Sequence, residues 1–209
     1  MAYRVGRFVL DALAPHRCVS CGNIGSVVCA ECLKKVKLHK QITAGPTPLD
    51  AIVSGVDYDE SIVKELIHNL KYNSLKDAAN PLAEILSEVL KPMLQPNDVL
   101  VPIPLHRKRK AVRGFNQSEL LANAIGEKLS VPVENLLSRN RNTKPQVECD
   151  AHERRTNLHE AFSSTATNAK RIILIDDVTT TGTTFVEAAK ALRKVTDVPI
   201  IGLAVARGG

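Results

Sequence analysis

Two adjacent carboxylates followed by a threonine-rich turn stand out near the end of the chain. Residues 171–184 read RIILIDDVTTTGTT, an apolar stretch that leads through Asp176 and Asp177 into small hydroxyl residues around one glycine. The apolar stretch predicts a buried strand, and open α/β sheets bind ligands at the carboxyl edge of their strands. Amide groups at the start of a following helix favour a phosphate, whereas paired carboxylates suit sugar hydroxyls, Mg²⁺ or both. Each feature alone also fits an ordinary strand end or helix cap, but together they predict a sugar-phosphate site.

These fourteen residues resemble the phosphoribosyl-pyrophosphate signature of the type I phosphoribosyltransferases. They lack the Gly-Lys ending of a Walker A loop and the spaced glycines of a dinucleotide fingerprint. The resemblance implies that Asp176 and Asp177 are catalytic residues beside the ribose hydroxyls, and that phosphoribosyl pyrophosphate (PRPP) binds with Mg²⁺. It also implies a loop that holds the 5'-phosphate, formed here by Thr179, Thr180, Thr181, Gly182, Thr183 and Thr184. Enzymes of this group that act on 6-oxopurines carry another carboxylate where Thr180 stands, which argues against purine salvage.

Four of the five cysteines form two closely spaced pairs, Cys18-x-x-Cys21 and Cys29-x-x-Cys32. Four thiolates satisfy the tetrahedral preference of Zn²⁺. Two disulfides are the alternative, but we expect no secretory signal here, and therefore a reducing cytosol. A redox site would need only one pair. The spacing predicts a structural zinc module, because so short a segment has little core and metal binding would supply its folding free energy.

A strongly basic run follows a proline-rich turn near the middle of the chain. Five of the seven residues 107–113 are Lys or Arg, directly after the turn that ends at His106. Such a run is most often a solvated or nucleic-acid-facing surface, although at a strand end its charges could stabilise a departing pyrophosphate. Residues 139–162 form a second polar, basic stretch, either an ordinary surface loop or one that closes over a site. The candidate pyrophosphate or nucleic-acid residues are His106, Arg107, Arg109, Arg113 and Lys144. His106 is also a possible proton carrier, but a backbone hydrogen bond is its more common role.

Strand and helix patterns alternate around these motifs. The predicted strands are 50–56, 99–101, 131–136, 171–175 and 199–206. The predicted helices are 60–70, one that opens at Asn80-Pro81, 116–129 with Asn116 as its cap, and 185–195 with capping-box spacing between Thr184 and Glu187. This alternation predicts an α/β fold in which a mostly parallel sheet is flanked by helices. We divide the chain into a zinc-binding module with a linker over residues 1–48 and a phosphoribosyltransferase-like domain over residues 49–209.

Composition narrows the class of protein. The 209 residues are 44% hydrophobic, enough to bury a core, so a wholly disordered chain is excluded. No apolar run approaches the roughly 20 residues of a membrane span, so we expect a cytoplasmic protein that is not a membrane protein. The net charge of +6 is concentrated in residues 1–50 and 101–160, which favours an anionic partner.

Several separated motifs in one order resemble the ComF family of bacterial competence proteins. They are the four cysteines, Lys71-Tyr72, the turn ending at His106 with Arg113-Gly-Phe-Asn-Gln117, Lys144-Pro-Gln146, Glu153-Arg-Arg155 and the Asp176-Asp177 signature. The resemblance implies a role in handling single-stranded DNA during natural transformation. The implied partners are that DNA and a competence helicase or a membrane DNA-uptake channel. Two alternatives stay open: a non-catalytic nucleic-acid-binding or regulatory protein that retains the pocket, and a nucleotide-salvage phosphoribosyltransferase.

Overall fold

Strands and helices alternate through residues 15–140 and 161–208, which are the residues that the computed structural model describes. The helices are α1 Ala30–Leu33, α2 Ser61–Tyr72, α3 Ala79–Leu90, α4 Arg107–Arg113, α5 Gln117–Leu129 and α6 Thr183–Leu192. The strands are β1 Gln41–Ala44, β2 Ala51–Asp57, β3 Asp98–Pro102, β4 Leu137–Arg139, β5 Phe162–Ser164, β6 Arg171–Thr179 and β7 Ile200–Arg207. Within these two ranges no helix is long and apolar enough to cross a bilayer.

Five strands form the central sheet in the order β1-β2-β7-β6-β3. The pairs β2–β7, β7–β6 and β6–β3 are parallel, and only the edge strand β1 is antiparallel to its neighbour. The near-continuous apolar sequences of β6 and β7 follow from this position, since inner parallel strands are covered on both faces. The predicted α/β class, a mostly parallel sheet flanked by helices, is confirmed.

Alternate residues of the inner strands divide the core into two apolar clusters. Ile173 and Ile175 of β6 belong to the cluster with α2, α3 and α5, whereas Ile172 and Leu174 belong to the cluster with α6 and the β4–β5 ribbon. Successive side chains of a strand point to opposite faces, so Asp177 lies on the same face as Ile175, toward α2. The carboxyl ends of β3 and β6 are neighbours at one edge of the sheet.

Several predicted elements differ from the structure. Residues 131–136 form no strand, and only Val133 makes an isolated bridge, to Leu100. The strand lies further on, at β4, where β5 supplies a partner. β1 occupies residues that we predicted as linker, because β2 offers them an edge. Helix α3 begins at Ala79 rather than at a cap on Asn80, since the 3-10 turn Lys76–Ala78 runs directly into it.

Candidate functional site

A cleft of about 190 Å³ lies at the carboxyl edge of the sheet, where β3 and β6 end. Four elements and their adjoining loops contribute to it: α2, the segment from Ile103 through α4 to α5, β4, and β6 with the turn that follows it. The charged residues that line it are Lys71, Arg109, Arg113, Arg139, Asp176 and Asp177. Four cations against two carboxylates give the cleft a net positive charge, which favours an anionic ligand.

The carboxylate pair is held by its own hydrogen bonds. Asp176 Oδ1 accepts hydrogen bonds from the Ser118 hydroxyl at 3.0 Å and from the Asp177 backbone N–H at 2.9 Å. Lys71 Nζ lies 3.0 Å from Asp177 Oδ1, and these side chains are 20% and 4% exposed. Asp177 Oδ2 is buried with no hydrogen-bond partner among the described residues. Because buried acceptors are normally paired, this unpaired oxygen makes the Asp177 carboxylate a candidate to bind a ligand.

The surroundings shift the protonation of this group. Burial, and then the charge of Asp177, raise the pKa of Asp176 to about 7, although Lys71 opposes the rise. Burial works against the charged form of Lys71, but attraction to Asp177 and then Asp176 outweighs it and keeps the Lys71 pKa above its ordinary value. Lys71 therefore stays charged, and near neutral pH the pair carries less than two negative charges. A phosphate beside the pair meets less repulsion than two full carboxylates would exert.

The threonine turn after β6 has a backbone shape that requires its glycine. Gly182 has φ of 75°, and a Cβ there would lie 2.4 Å from Ile52 Cδ1. Gly182 is also the N-cap of α6 and provides no side-chain cap, while the Thr181 and Thr183 hydroxyls lie 2.7 Å apart. The predicted capping box is wrong, because α6 starts at Thr183 and Glu187 bonds Lys190 at 2.6 Å. The turn thus presents hydroxyl groups and the amide end of a helix, the combination that suits a phosphate.

The basic run forms helix α4, which sequence analysis missed. Its residues divide between two surfaces: Arg109 and Arg113 line the cleft, whereas Arg107, Lys108 and Lys110 are exposed. The preceding turn is anchored to the sheet, since the Ile103 N–H donates to the Ile175 carbonyl at 3.0 Å and the Asn116 side chain donates to the Ile103 carbonyl at 3.0 Å. The predicted cap of α5 is confirmed, because Asn116 Oδ1 accepts a hydrogen bond from the Ser118 N–H at 3.2 Å.

Two of the described candidate anion-binding residues, His106 and Arg107, do not line the cleft. His106 Nδ1 accepts a hydrogen bond from the Lys108 N–H at 3.3 Å and caps α4. Its partial desolvation and then the nearby cations, Arg139 first, lower its pKa. Arg107 is exposed and does not line the cleft, and Lys144 lies outside the described residues.

Five polar residues of the cleft were not predicted as site residues: Lys71, Tyr72, Gln117, Ser118 and Arg139. Lys71 and Tyr72 were noted only as part of a family motif, and Ser118 lies near the start of a predicted helix. Burial, then repulsion by Arg109, lower the pKa of Arg139 to about 10 against the attraction of Asp176, so it stays charged at neutral pH. The ring of Phe162 lies 5.5 Å from its guanidinium.

The four cysteines of the predicted zinc module converge. Their Sγ atoms all lie within 4.8 Å of one another, and Cys21 and Cys29 are 3.7 Å apart. All four are free thiols rather than disulfides. Zn–S bonds of about 2.3 Å in a tetrahedron place sulfurs roughly 3.8 Å apart, so the cluster fits such an ion.

Backbone geometry favours a thiolate in this cluster. The Cys29 N–H donates to Cys18 Sγ at 3.4 Å. Burial opposes ionisation of Cys18, but the N–H groups of Cys21, Cys29 and Ser20 outweigh it and lower its pKa to about 6. The Asn23 N–H would favour a Cys21 thiolate, yet the other thiols, Cys18 first, raise the Cys21 pKa to about 11. Several thiolates at this spacing therefore need a cation between them.

The module also packs on the sheet domain through apolar side chains. Cys18, Val27, Cys32 and Val36 belong to the same buried cluster as Leu66 of α2. Its core is continuous with that of the sheet domain.

No protein-family model matches the chain. Competence protein F of Haemophilus influenzae is 30% identical over 201 residues, which cover 88% of this chain and 83% of that protein. DNA utilization protein YhgH of Escherichia coli K12 is 32% identical over 185 residues, 84% of this chain and 77% of that protein. Competence protein ComFC of Bacillus subtilis is 30% identical over 193 residues, with coverage of 89% and 75%.

Solved structures of an adenine phosphoribosyl transferase and a UMP synthase also show a weak similarity to the chain. Adenine phosphoribosyl transferase from Trypanosoma brucei aligns over 85% of this chain and 78% of its own, with 13% identity and a TM-score of 0.39. UMP synthase from Leishmania donovani aligns over 66% of this chain and 24% of its own, with 19% identity and a TM-score of 0.38. These TM-scores are too low to support an argument, so the fold class rests on the strand order and strand pairing of the sheet.

Proposed function

The chain belongs to the ComF family of competence and DNA-utilization proteins, and we propose that its cleft binds PRPP in the course of handling single-stranded DNA. The names of the relatives support a role connected with DNA. The residues that line the cleft support a sugar-phosphate ligand. Transfer of the phosphoribosyl group to an acceptor is the reaction that such a site would serve.

One observation carries this proposal: the carboxylate pair and the threonine turn meet at the same sheet edge, inside a cleft lined by four cations. A 5'-phosphate fits the turn, where hydroxyls and the N-terminal amides of α6 converge. Asp176 and Asp177 lie on β6 just before this turn, and their carboxylate oxygens can accept hydrogen bonds from the ribose hydroxyls. Arg109, Arg113 and Arg139 would then face the pyrophosphate.

The chain's own residues fit displacement of pyrophosphate from ribose C1'. In that reaction the bond from C1' to the pyrophosphate oxygen breaks and the leaving group keeps the electron pair. C1' then bonds to the acceptor atom, whose proton passes to water. Arginines of the cleft stabilise the charge that grows on the leaving group. The carboxylates orient the ribose and favour the positive charge that develops on its ring.

Mg²⁺ would be held by Asp176 and Asp177, whose carboxylate oxygens are ligands of the kind that it prefers. The buried, unpartnered Asp177 Oδ2 fits this role. Bound there, Mg²⁺ would neutralise pyrophosphate charge. Lys71 already occupies the other oxygen of Asp177, so we expect the cation to bind with the pyrophosphate rather than before it. For the cysteine cluster we propose one structural zinc ion, since four protein ligands leave no open coordination position.

Isothermal titration calorimetry with PRPP and Mg²⁺ tests the pocket. The wild-type chain should bind one PRPP, and Asp177→Asn should weaken binding at least tenfold because it removes an acceptor and a charge from the site. Asp59→Asn is the matched control, since Asp59 is exposed and outside the cleft. Equal affinity in all three proteins would contradict the proposal. Electron paramagnetic resonance with Mn²⁺ in place of Mg²⁺ should show little metal binding until PRPP is added.

The exposed face of α4 favours a second, DNA-binding surface. Arg107 and Lys108 are exposed and do not line the cleft, whereas Arg109 does. Arg107→Glu should therefore weaken single-stranded DNA binding and reduce its salt dependence while PRPP binding stays unchanged. Arg109→Glu should weaken PRPP binding more. Fluorescence anisotropy with a labelled oligonucleotide over a salt series, beside calorimetry, separates the two surfaces, and the reverse pattern would exchange the assignments.

A further inference from the structure

We propose that Tyr72 is the residue on which the nucleobase of a bound nucleotide stacks. This inference rests on the proposed sugar-phosphate pocket and adds the position of the base. The ligand class is a 5'-phosphorylated nucleotide, either free in solution or at the 5' end of a DNA strand.

Tyr72 differs from the other aromatic residues in its exposure. Its side chain lines the cleft, and the residue is 59% exposed. Phe115, Phe162 and Phe185 are all buried in the core, and Tyr58 is partly buried away from the cleft. Among residues 15–140 and 161–208, Tyr72 is thus the aromatic ring that both lines the cleft and stays open to a ligand.

This ring lines the same cleft as the carboxylates. Tyr72 is the last residue of α2 and directly follows Lys71, whose Nζ lies 3.0 Å from Asp177. One turn earlier on the same helix, His68 packs against Tyr72 with ring centroids 5.1 Å apart and a tilt of 43°. The imidazole supports the phenol ring, so the ring is positioned without being covered.

The remaining lining separates groups suited to phosphate from groups suited to a base. Ile103, Pro104 and Leu105 contribute apolar surface to the same cleft, whereas the cations come from α2, α4 and β4. When the phosphate of a nucleotide lies in the threonine turn and its ribose lies at Asp176 and Asp177, only the base still needs a binding surface. A flat base with apolar faces suits an exposed ring that shares its cleft with apolar side chains. Stacking of this kind tolerates any base, because every base has a π-face.

Binding of three probes to wild type, Tyr72→Ala and Tyr72→Phe tests this assignment by calorimetry. The probes are ribose 5-phosphate, thymidine 5'-monophosphate and a 5'-phosphorylated oligothymidine. Tyr72→Ala should bind the thymine-bearing probes about tenfold more weakly, as expected for the loss of one stacked base. Its affinity for ribose 5-phosphate should be unchanged, and Tyr72→Phe should match wild type. Because the chain has no Trp, base stacking should also quench tyrosine fluorescence in wild type but not in Tyr72→Phe.

The outcomes separate this inference from the pocket itself. Equal weakening of all three probes in Tyr72→Ala, or no weakening of any, would overturn the stacking role. Failure of wild type to bind ribose 5-phosphate, with thymidine monophosphate still bound through Tyr72, would overturn the phosphate pocket and support stacking. No binding of any probe would overturn both. Preference for the mononucleotide identifies a free nucleotide as the ligand. A preference for the oligonucleotide that persists in Arg107→Glu, which weakens the outer face of α4, identifies a strand terminus; either supports stacking.

Discussion

Asp176→Asn should make the protein more stable at alkaline pH, with no comparable gain in mild acid. Asp176 is half-buried in the cleft, and desolvation of its carboxyl raises its pKa from the ordinary value of 3.8 to about 7 in the folded chain. Between these values the folded state holds a proton that the unfolded state releases, so the stability that this group contributes is lost as pH rises through about 7. At about 1.36 kcal/mol per pKa unit, the full loss is roughly 4 kcal/mol. Asparagine cannot ionise, so the variant does not lose this stability. Its side-chain oxygen can still accept the hydrogen bonds from Ser118 and the backbone.

Urea denaturation followed by circular dichroism, between about pH 4.5 and pH 8.5, measures this difference. The free energy of unfolding of Asp176→Asn relative to wild type should rise steadily with pH and level off above about 7. The measurement uses zinc-loaded protein without other divalent cations. Asp59→Asn, at an exposed position, should show no such trend. A difference between Asp176→Asn and wild type that stays constant across the series would refute the argument that burial costs stability here.

The remaining predictions concern the metal cluster, the threonine turn and the ion pair. Cys18→Ser should reduce the zinc content from one ion per chain, as measured by elemental analysis, while Cys149→Ser should keep it; unchanged zinc in Cys18→Ser would contradict the four-sulfur site. Gly182→Ala should destabilise the fold by more than Gly114→Ala in thermal denaturation. Both glycines have positive φ, a strain worth roughly 1–2 kcal/mol, but an added Cβ meets a side chain only at Gly182. Lys71→Met should lower the free energy of unfolding by about 3–5 kcal/mol at pH 8, the usual cost of leaving a buried charge without its partner. The loss should be smaller at pH 5, where Asp176 is protonated and the pair carries less charge; an equal loss at both pH values would show that the ion pair is not the cause.

The sequence predicts the inner strands of this fold well and its short edge elements poorly. β6 and β7 are covered on both faces, so their apolar runs need no further context. β1, β4 and β5 are four residues or fewer and exist because a partner strand lies beside them, which no local pattern reveals. Helix α4 has no apolar periodicity. The residues at its two ends could have identified it: His106 caps the first turn, and Gly114 ends the helix with a φ of 82°, which favours glycine.

The candidate site divides in the same way. Local sequence is sufficient to predict the carboxylates and the threonine turn, because strand, turn and helix follow one another without a break. Local sequence does not predict that Lys71 pairs with Asp177, since α2 and β6 meet only in the folded chain. The basic run shows a similar limit. Its charge is evident from the sequence, but only the helical structure of α4 shows that Arg109 lines the cleft and Arg107 does not.

A crystal structure of the chain with ribose 5-phosphate tests the central claim most directly. The claim predicts the phosphate at the turn 179–184, against the amide end of α6, and the ribose hydroxyls within hydrogen-bond distance of Asp176 and Asp177. A ligand bound only on the outer face of α4, or a cleft in which Lys71 still bonds Asp177 and no sugar is present, would contradict it.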